Sequence, residues 1–383
     1  MSDAFTPITD MIKDAETIWT DTMQALRTLQ QTAGATLGET GIPTSFGNDA
    51  TAFTAAKESA ALIDRSHWGV IELSGDDRLR FIHNQTTNAF QQRQPGEGCD
   101  TVFVTSTART IDLVTTYITE DAVLMITSPG QDQRLMDWMD RYIFPADKVA
   151  LKNLTDTMAV FSLVGPESES LLGKCGIALE SNAAYGHHHT VEIDGVAVRI
   201  AKGSGLSLEG YTLLVLADTA DTVWTALTAA GAVPAGETVW HQLRIQAGRP
   251  QPGTELTEDY NPLEAGLWHA ISFDKGCYIG QETIARLNTY QGVKQQLWGV
   301  QLSTPVEPGT PILVGEDKVG TLTSILDTAE GPLGLGYIRT KAGGAGLQVT
   351  VGEAEGTVVD VPFLSRGYLA EQNPEIQVGQ GDL

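Results

Sequence analysis

The stretch DKGCYIGQE, residues 274–282, combines a cysteine, a lysine and two glycines with a glutamine–glutamate pair. Cys277 follows Lys275 by two residues, and in an extended loop their side chains would point the same way. The next residues, TIARLN, are typical of a short helix, and both a helix start and a nearby lysine favour a thiolate. We therefore expect Cys277 to be a functional thiol. The alternative is an inert cysteine buried in a glycine-rich turn.

The other two cysteines are predicted to be inert. Cys99 has Glu97 and Asp100 as neighbours, which disfavour a thiolate. Cys175 sits at a predicted helix C-terminus, where the dipole opposes negative charge. The cysteines are far apart and form no C-x-x-C pair, which argues against a zinc site and a disulfide framework. A reducing compartment is expected.

Composition excludes several function classes. The chain has 383 residues, of which 42% are hydrophobic and 19% charged, and its formal net charge is −24. A broad nucleic-acid surface is therefore not expected, and any anionic ligand needs a local basic pocket. No apolar run approaches the roughly 18 residues of a membrane span. The N-terminal residues resemble neither a secretory signal nor a transit peptide, so we expect a cytoplasmic protein.

The pattern along the chain predicts a multi-domain α+β protein. Apolar residues at helical spacing over residues 7–30 indicate an amphipathic helix, and residues 33–49 are typical of a linker. Alternating strands and helices follow, and Asp194-Gly195 within VEIDGVAVRIA predicts a hairpin turn. After residue 292, short strands separated by Gly or Pro predict a small antiparallel β-barrel. The predicted units are an N-terminal helical extension with linker (1–45), an α+β region with a break near residue 155 (46–290), the barrel (291–365) and a flexible tail (366–383).

Several segments of the chain resemble those of a known family. KGCYIGQE is similar to the defining motif of the YgfZ family, folate-binding proteins related to the aminomethyltransferase, or T-protein, of the glycine cleavage system. LRIQAGRPQPGTEL and NPLEAGL, within residues 243–267, resemble the segment before that motif. VIELSGDDRLRFIHNQTTN, residues 70–88, resembles the N-terminal strand–turn–helix. The resemblance implies domains arranged around a central folate cavity, with a C-terminal antiparallel barrel.

The resemblance also implies a site. Tetrahydrofolate or a derivative would be bound by Arg244, Tyr278, Gln281, Glu282 and Glu264, while Cys277 and Lys275 would carry chemistry. A guanidinium pairs bidentately with a carboxylate, which suits Arg244 to the glutamate tail of a folate.

Asp112, in ARTIDLVTT, matches the place of the T-protein's catalytic aspartate, but the preceding glycines of that family are absent. The T-protein's Gly-Tyr-Thr-Gly-Glu segment is not reproduced either. These departures favour an interpretation in which folate is bound without glycine cleavage.

Three functions remain open. The YgfZ resemblance implies a monomeric accessory protein for iron–sulfur cluster assembly or repair, whose clients include radical enzymes that modify tRNA. A cluster needs several cysteine ligands, so any cluster on Cys277 would be shared transiently with an assembly partner. The alternatives are a tetrahydrofolate-dependent aminomethyltransferase and an interaction module with a vestigial pocket.

The histidines of GHHHT, residues 186–190, do not predict a metal site. Side chains alternate along a strand, so only His187 and His189 could share a face, and two ligands are too few. We expect a solvated loop there and no resident metal.

Overall fold

The computed structural model describes residues 23–371, except Ser181 and Ala329. The predicted helix over residues 7–30 therefore lies mostly outside the described part, which begins with helix α1 (Gln24–Thr32). Most of the predicted tail, residues 372–383, also lies outside it.

The predicted linker at 33–49 contains structure. Strands β1 (Thr36–Leu37) and β2 (Pro43–Ser45) form a two-stranded antiparallel sheet. Helix α2 (Asp49–Glu58) follows, and then strand β3 (Ala61–Asp64). The buried face of α2 consists of alanines, so its pattern lacks the large apolar residues that mark an amphipathic helix.

A five-stranded antiparallel sheet comes next, in the order β5-β6-β7-β4-β8. Helices α3 and α4 pack on it around a shared apolar cluster. Its elements in chain order are β4 (Gly69–Ser74), α3 (Arg78–Gln85), β5 (Gly98–Val104), β6 (Thr110–Ile118), β7 (Ala122–Thr127), α4 (Asp132–Asp140) and β8 (Ala150–Asn153).

A second, six-stranded sheet has the order β10-β11-β12-β9-β3-β13, so β3 joins this sheet from before the five-stranded one. All of its pairs are antiparallel except β13 with β3. The predicted hairpin turn at Asp194-Gly195 has φ values of 47° and 81°, as a two-residue turn of this kind requires. The elements are β9 (Met158–Val164), α5 (Ser168–Lys174), β10 (His188–Ile193), β11 (Val196–Lys202), β12 (Gly210–Leu216), α6 (Ala220–Ala230), β13 (Val233–Ala235) and α7 (Glu237–Ala247).

A closed, antiparallel six-stranded barrel follows helix α8 (Gln281–Thr289), in the order β14-β17-β16-β15-β18-β19. This confirms the predicted α+β class with a C-terminal barrel, while the exact domain limits stay predictions. Its strands are β14 (Gln295–Leu302), β15 (Pro311–Val314), β16 (Asp317–Thr328), β17 (Gly331–Arg339), β18 (Gln348–Val351) and β19 (Ala354–Val359), and helix α9 (Tyr368–Glu371) ends the described chain.

The largest apolar cluster contains residues of both sheets, α7, α8 and the barrel. It holds the loop at 274–282 against the rest of the molecule through Tyr278. Within residues 23–371, no helix has the length and apolar character needed to span a bilayer.

Candidate functional site

Lys275 anchors the 274–282 loop to the end of α3. Its Nζ donates hydrogen bonds to the backbone carbonyls of His83, Thr86 and Asn88, at 2.7 Å for Thr86. Burial lowers the pKa of Lys275 to about 7, while the three carbonyl dipoles favour the charged ammonium. The N–H groups of the ammonium thus have backbone acceptors. The Lys275 side chain points into the protein, whereas the Cys277 side chain is exposed. The expectation that the two side chains point the same way is therefore corrected.

Cys277 is exposed, and this rules out the alternative of a buried thiol. The side chain lies on an open groove of about 500 Å³, here called the Cys277 groove. The groove is lined by His83, Asn84, Gln85, Gln91, Tyr142, Phe144, Gly276, Cys277, Tyr278 and Ile279. None of these residues has a carboxylate, an ammonium or a guanidinium group. That Cys277 is the functional thiol stays a prediction.

The other cysteines are less accessible. Cys99 is buried, and burial raises its pKa to about 11. Cys175 is partly buried, and both burial and the charge of Asp194 raise its pKa. Both thiols are therefore protonated near neutral pH, as expected for non-functional cysteines.

The residues after Cys277 shape the loop. Gly280 has a φ of +81°, and a Cβ there would lie 2.8 Å from the carbonyl oxygen of Thr105, so glycine is required. Gln281 begins α8, and its Nε2 donates to the carbonyl of Gly276 at 3.3 Å. Glu282 is exposed in the first turn of α8, where a carboxylate suits the helix dipole.

Tyr278 and Glu264, two further predicted folate contacts, are buried at 9% and 6% exposure. The Lys275 ammonium lies 4.6 Å from the centre of the Tyr278 ring. The Glu264 carboxylate accepts a hydrogen bond from the backbone N–H of Asn261 at 3.1 Å. Burial raises the pKa of both Tyr278 and Glu264. Their folate contacts stay predictions.

Arg244 already has protein partners. Its Nη1 lies 3.0 Å from Oε2 of Glu255, and its Nη2 donates to the Ser324 hydroxyl at 2.9 Å. Arg244 is 2% exposed and Glu255 is fully buried. The pair connects α7 to barrel strand β16. The guanidinium predicted for a folate carboxylate is therefore paired with a carboxylate of the protein itself.

Asp112 is fully buried in β6. Its Oδ2 accepts a hydrogen bond from the backbone N–H of Ser128 at 2.9 Å, whereas its Oδ1 has no hydrogen-bond partner among the described residues. Burial raises the pKa of Asp112 to about 6, against the hydrogen bonds from Ser128. A carboxyl group of this kind exchanges a proton near neutral pH, which is the property of a general acid or base.

The expected central cavity would lie where the two sheets meet, and two residues there were not predicted from the sequence as site residues. Tyr185 is 36% exposed and His269 is also exposed. Desolvation nevertheless raises the pKa of Tyr185 and lowers that of His269. Groups that are both accessible and desolvated are typical of a recess in a protein surface. The Tyr185 hydroxyl donates to the Asp100 carboxylate at 3.0 Å.

Two buried arginines lie near Tyr185 and His269. Arg65 and Arg249 are each 3% exposed, and neither has a carboxylate within ion-pair distance among the described residues. The Arg65 guanidinium stacks on Trp68 and Trp240, at 3.8 Å and 4.3 Å from the ring centres. Burial and the charge of Arg249 lower the pKa of Arg65 to about 9, so Arg65 stays charged at neutral pH.

A buried charge without a counter-ion is unfavourable, and an anionic ligand would relieve it. The two arginines form the local basic pocket that an anion would need in so acidic a chain. Arg249 lies in the segment AGRPQPGTEL. Arg65 lies in ALIDRSHWG, three residues before Trp68, on which it stacks. That Arg-x-x-Trp spacing is the signal that could have identified it.

The histidine run lies partly on strand β10. His188 is 2% exposed, and its Nδ1 lies 2.9 Å from Nη1 of Arg199, so the expected solvated loop is wrong at this residue. The rings of His187 and His189 are 6.2 Å apart. The described residues contain no group of three or more potential ligands.

The sequence is similar to a known family and to proteins of two named organisms. The model of the GCVT N-terminal domain matches residues 26–275. A protein of Arabidopsis thaliana, provisionally named a chloroplastic transferase, is 45% identical over 344 residues, which is 89% of this chain and 80% of that protein. An aminomethyltransferase of Halalkalibacterium halodurans is 27% identical over 343 residues, covering 85% of this chain and 92% of the relative.

The fold is also similar to that of a solved structure. The glycine cleavage system aminomethyltransferase T of Bartonella henselae superimposes with a TM-score of 0.79, covering 90% of this chain and 98% of that one. The two sequences are 18% identical, so this likeness concerns the fold. It confirms the predicted T-protein-like architecture.

Proposed function

The chain belongs to the family of the GCVT N-terminal domain, and on that premise we propose that it binds a reduced folate, tetrahydrofolate or a derivative, in the central cavity. One observation carries this proposal: Arg65 and Arg249 are buried near Tyr185 and His269, and no carboxylate of the described residues lies within ion-pair distance of either. A folate supplies the missing charge through its glutamate tail, and a guanidinium binds a carboxylate in two parallel hydrogen bonds. The aromatic walls suit its flat rings.

Arg249 is the better placed of the two for direct contact. Its Nη1 donates to the carbonyl of Gly205 at 2.9 Å, and its guanidinium lies 5.1 Å from the ring centre of Phe363. Its charge also lowers the pKa of the cavity residue His269. His269 in turn packs edge-on against Phe363, at 5.3 Å between ring centres. The guanidinium is therefore close to the cavity wall that His269 forms.

We further propose that the folate-bound protein is an accessory factor for iron–sulfur cluster assembly or repair, including clusters of tRNA-modifying radical enzymes. The support is the resemblance of residues 275–282 to the YgfZ motif and the exposure of Cys277. An exposed thiol on an open groove is accessible to a partner protein, as a shared cluster would require.

A second candidate is tetrahydrofolate-dependent aminomethyl transfer. Several relatives carry that name, and Asp112 favours it because its buried carboxyl group has a pKa of about 6. In this case Asp112 would exchange a proton during transfer.

Calorimetry with tetrahydrofolate tests the binding proposal. Replacing Arg249 by Met removes a charge-assisted hydrogen bond and should weaken binding about tenfold or more. The matched variant is the double replacement Arg244→Met with Glu255→Leu, which removes an arginine together with the carboxylate that it already pairs with. Equal loss in both variants, or no binding by the wild type, would contradict the cavity assignment.

Two further assays separate the candidate roles. Release of one-carbon units from an aminomethyl-lipoyl carrier, lost in Asp112→Asn, would establish the transferase. Complementation of a strain lacking its own YgfZ, lost in Cys277→Ala but kept in Asp112→Asn, would establish the accessory role.

A further inference from the structure

The Cys277 groove combines a thiol with the side chains of His83 and Gln85, and Gln85 Oε1 has no hydrogen-bond partner among the described residues. Its named lining does not include any of the cavity residues Arg65, Tyr185, Arg249 or His269, so it is a separate place on the molecule. Although the whole chain has a net charge of −24, the groove lining consists of amides, aromatic rings, one imidazole and one thiol. Such a lining suits an uncharged ligand that offers its own hydrogen-bonding groups.

His83 presents a fixed donor to this groove. It is 5% exposed, and its Nδ1 accepts a hydrogen bond from the backbone N–H of Phe90 at 3.1 Å. The ring proton of the neutral imidazole is therefore on Nε2. Nε2 lies 3.8 Å from the place that a Cβ on Gly276 would occupy, one residue before Cys277. Burial and the nearby Lys275 charge lower the pKa of His83, which keeps the ring neutral.

Gln85 also lines the groove. The residue is 7% exposed, and its buried Oε1 has no hydrogen-bond partner among the described residues. An unpaired buried acceptor is costly, and a ligand N–H group would satisfy it. The groove thus holds a donor, an acceptor and a thiol within a volume of about 500 Å³, which is ample for a small peptide-like molecule.

We propose that the Cys277 groove is a binding site for an uncharged, amide-bearing disulfide, with which Cys277 forms a mixed disulfide. The Cys277 thiol loses its proton to solvent, and its sulfur attacks one sulfur of the ligand. A new S–S bond forms as the ligand's S–S bond breaks, and the second ligand sulfur leaves as a thiolate that takes up a proton. Cys277 is oxidised and the ligand disulfide is reduced.

Each groove residue has a defined part in this exchange. The Nε2–H of His83 donates to a sulfur that carries negative charge, and the Gln85 carbonyl accepts from a ligand amide. A neutral imidazole cannot accept a further proton on Nε2, so His83 acts as a hydrogen-bond donor and not as a base.

The test measures the rate of mixed-disulfide formation at Cys277 by mass spectrometry, with the disulfide of N-acetylcysteine amide as the probe. Cystamine and dithiodiglycolic acid serve as its cationic and anionic counterparts. We expect the rate with the neutral amide probe to saturate with concentration and to exceed both charged probes by about tenfold. Cys99 and Cys175 on the same chain are internal controls.

Two variants isolate the His83 donor. His83→Asn can keep the bond from Phe90 but lacks Nε2–H, and should react about tenfold more slowly. His83→Gln can place an amide N–H near the lost Nε2–H and should recover part of the rate. On the wild type alone, N-acetylalanine amide should protect Cys277 from iodoacetamide. A rate that rises linearly with probe concentration, no protection, and the same rate in His83→Asn would overturn the proposal. Folate binding in the cavity would be unaffected by that outcome.

Discussion

Replacing Asp112 by Asn should stabilise the protein at neutral pH. The folded-state pKa of Asp112 is raised by burial from 3.8 to about 6, so ionisation costs the folded state more than the unfolded one. The ionisation of Asp112 lowers the free energy of unfolding. This effect is absent below the pKa of Asp112 in the unfolded state and complete above its pKa in the folded state. A difference of about 2 in pKa corresponds to about 3 kcal/mol. Asn keeps an acceptor for the Ser128 N–H and does not ionise.

Urea unfolding at several pH values checks this prediction. At pH 7.5 the Asn variant should be more stable by about 1–3 kcal/mol, since its amide N–H groups meet a site without a known acceptor. At pH 4 the difference should nearly vanish because Asp112 is then protonated in the folded state. Asp317→Asn, at an exposed position, is the matched control and should show no such trend. A stability difference independent of pH would refute the account of Asp112.

Two further substitutions test the partly buried Lys275 and the buried Arg244. Lys275→Met leaves the carbonyls of His83, Thr86 and Asn88 without their shared donor and should lower the free energy of unfolding in urea by about 2–4 kcal/mol. The exposed control Lys318→Met should have almost no effect. Equal stability of the two variants would contradict the anchoring role of Lys275. Arg244→Met leaves the buried Glu255 carboxylate unpaired and should lower the free energy of unfolding by about 3–5 kcal/mol. The double variant with Glu255→Leu should restore part of this loss. A single variant as stable as the wild type would show that the ion pair is unimportant.

The features that were predictable from the sequence are those with local signals. Short strands separated by Gly or Pro after residue 292 predicted the barrel, and Asp194-Gly195 predicted a hairpin turn, because turn chemistry is local. Helix α2 was missed because its buried face is alanine. The predicted orientation of Lys275 was wrong because its acceptors lie in the last turn of α3 and just after it, about 190 residues earlier in the chain, and no local pattern reports such a contact.

The same distinction between local sequence signals and tertiary contacts applies to the candidate site. The exposed thiol of Cys277 lies in the motif that the sequence singled out. The pairing of Arg244 with Glu255 and Ser324 depends on the packing of the barrel against α7, and the contact of Tyr185 with Asp100 depends on how the sheets meet. An arginine's partners are decided by tertiary packing, so the sequence could indicate that an arginine binds an anion but not which arginine is free to do so.

The most direct test of the central claim is the structure of the protein crystallised with tetrahydrofolate. We predict folate density in the central cavity, with the ring system against Tyr185 and His269 and a glutamate carboxylate within hydrogen-bond distance of Arg249. Density on the Cys277 groove or beside Arg244, with an empty cavity, would contradict the account.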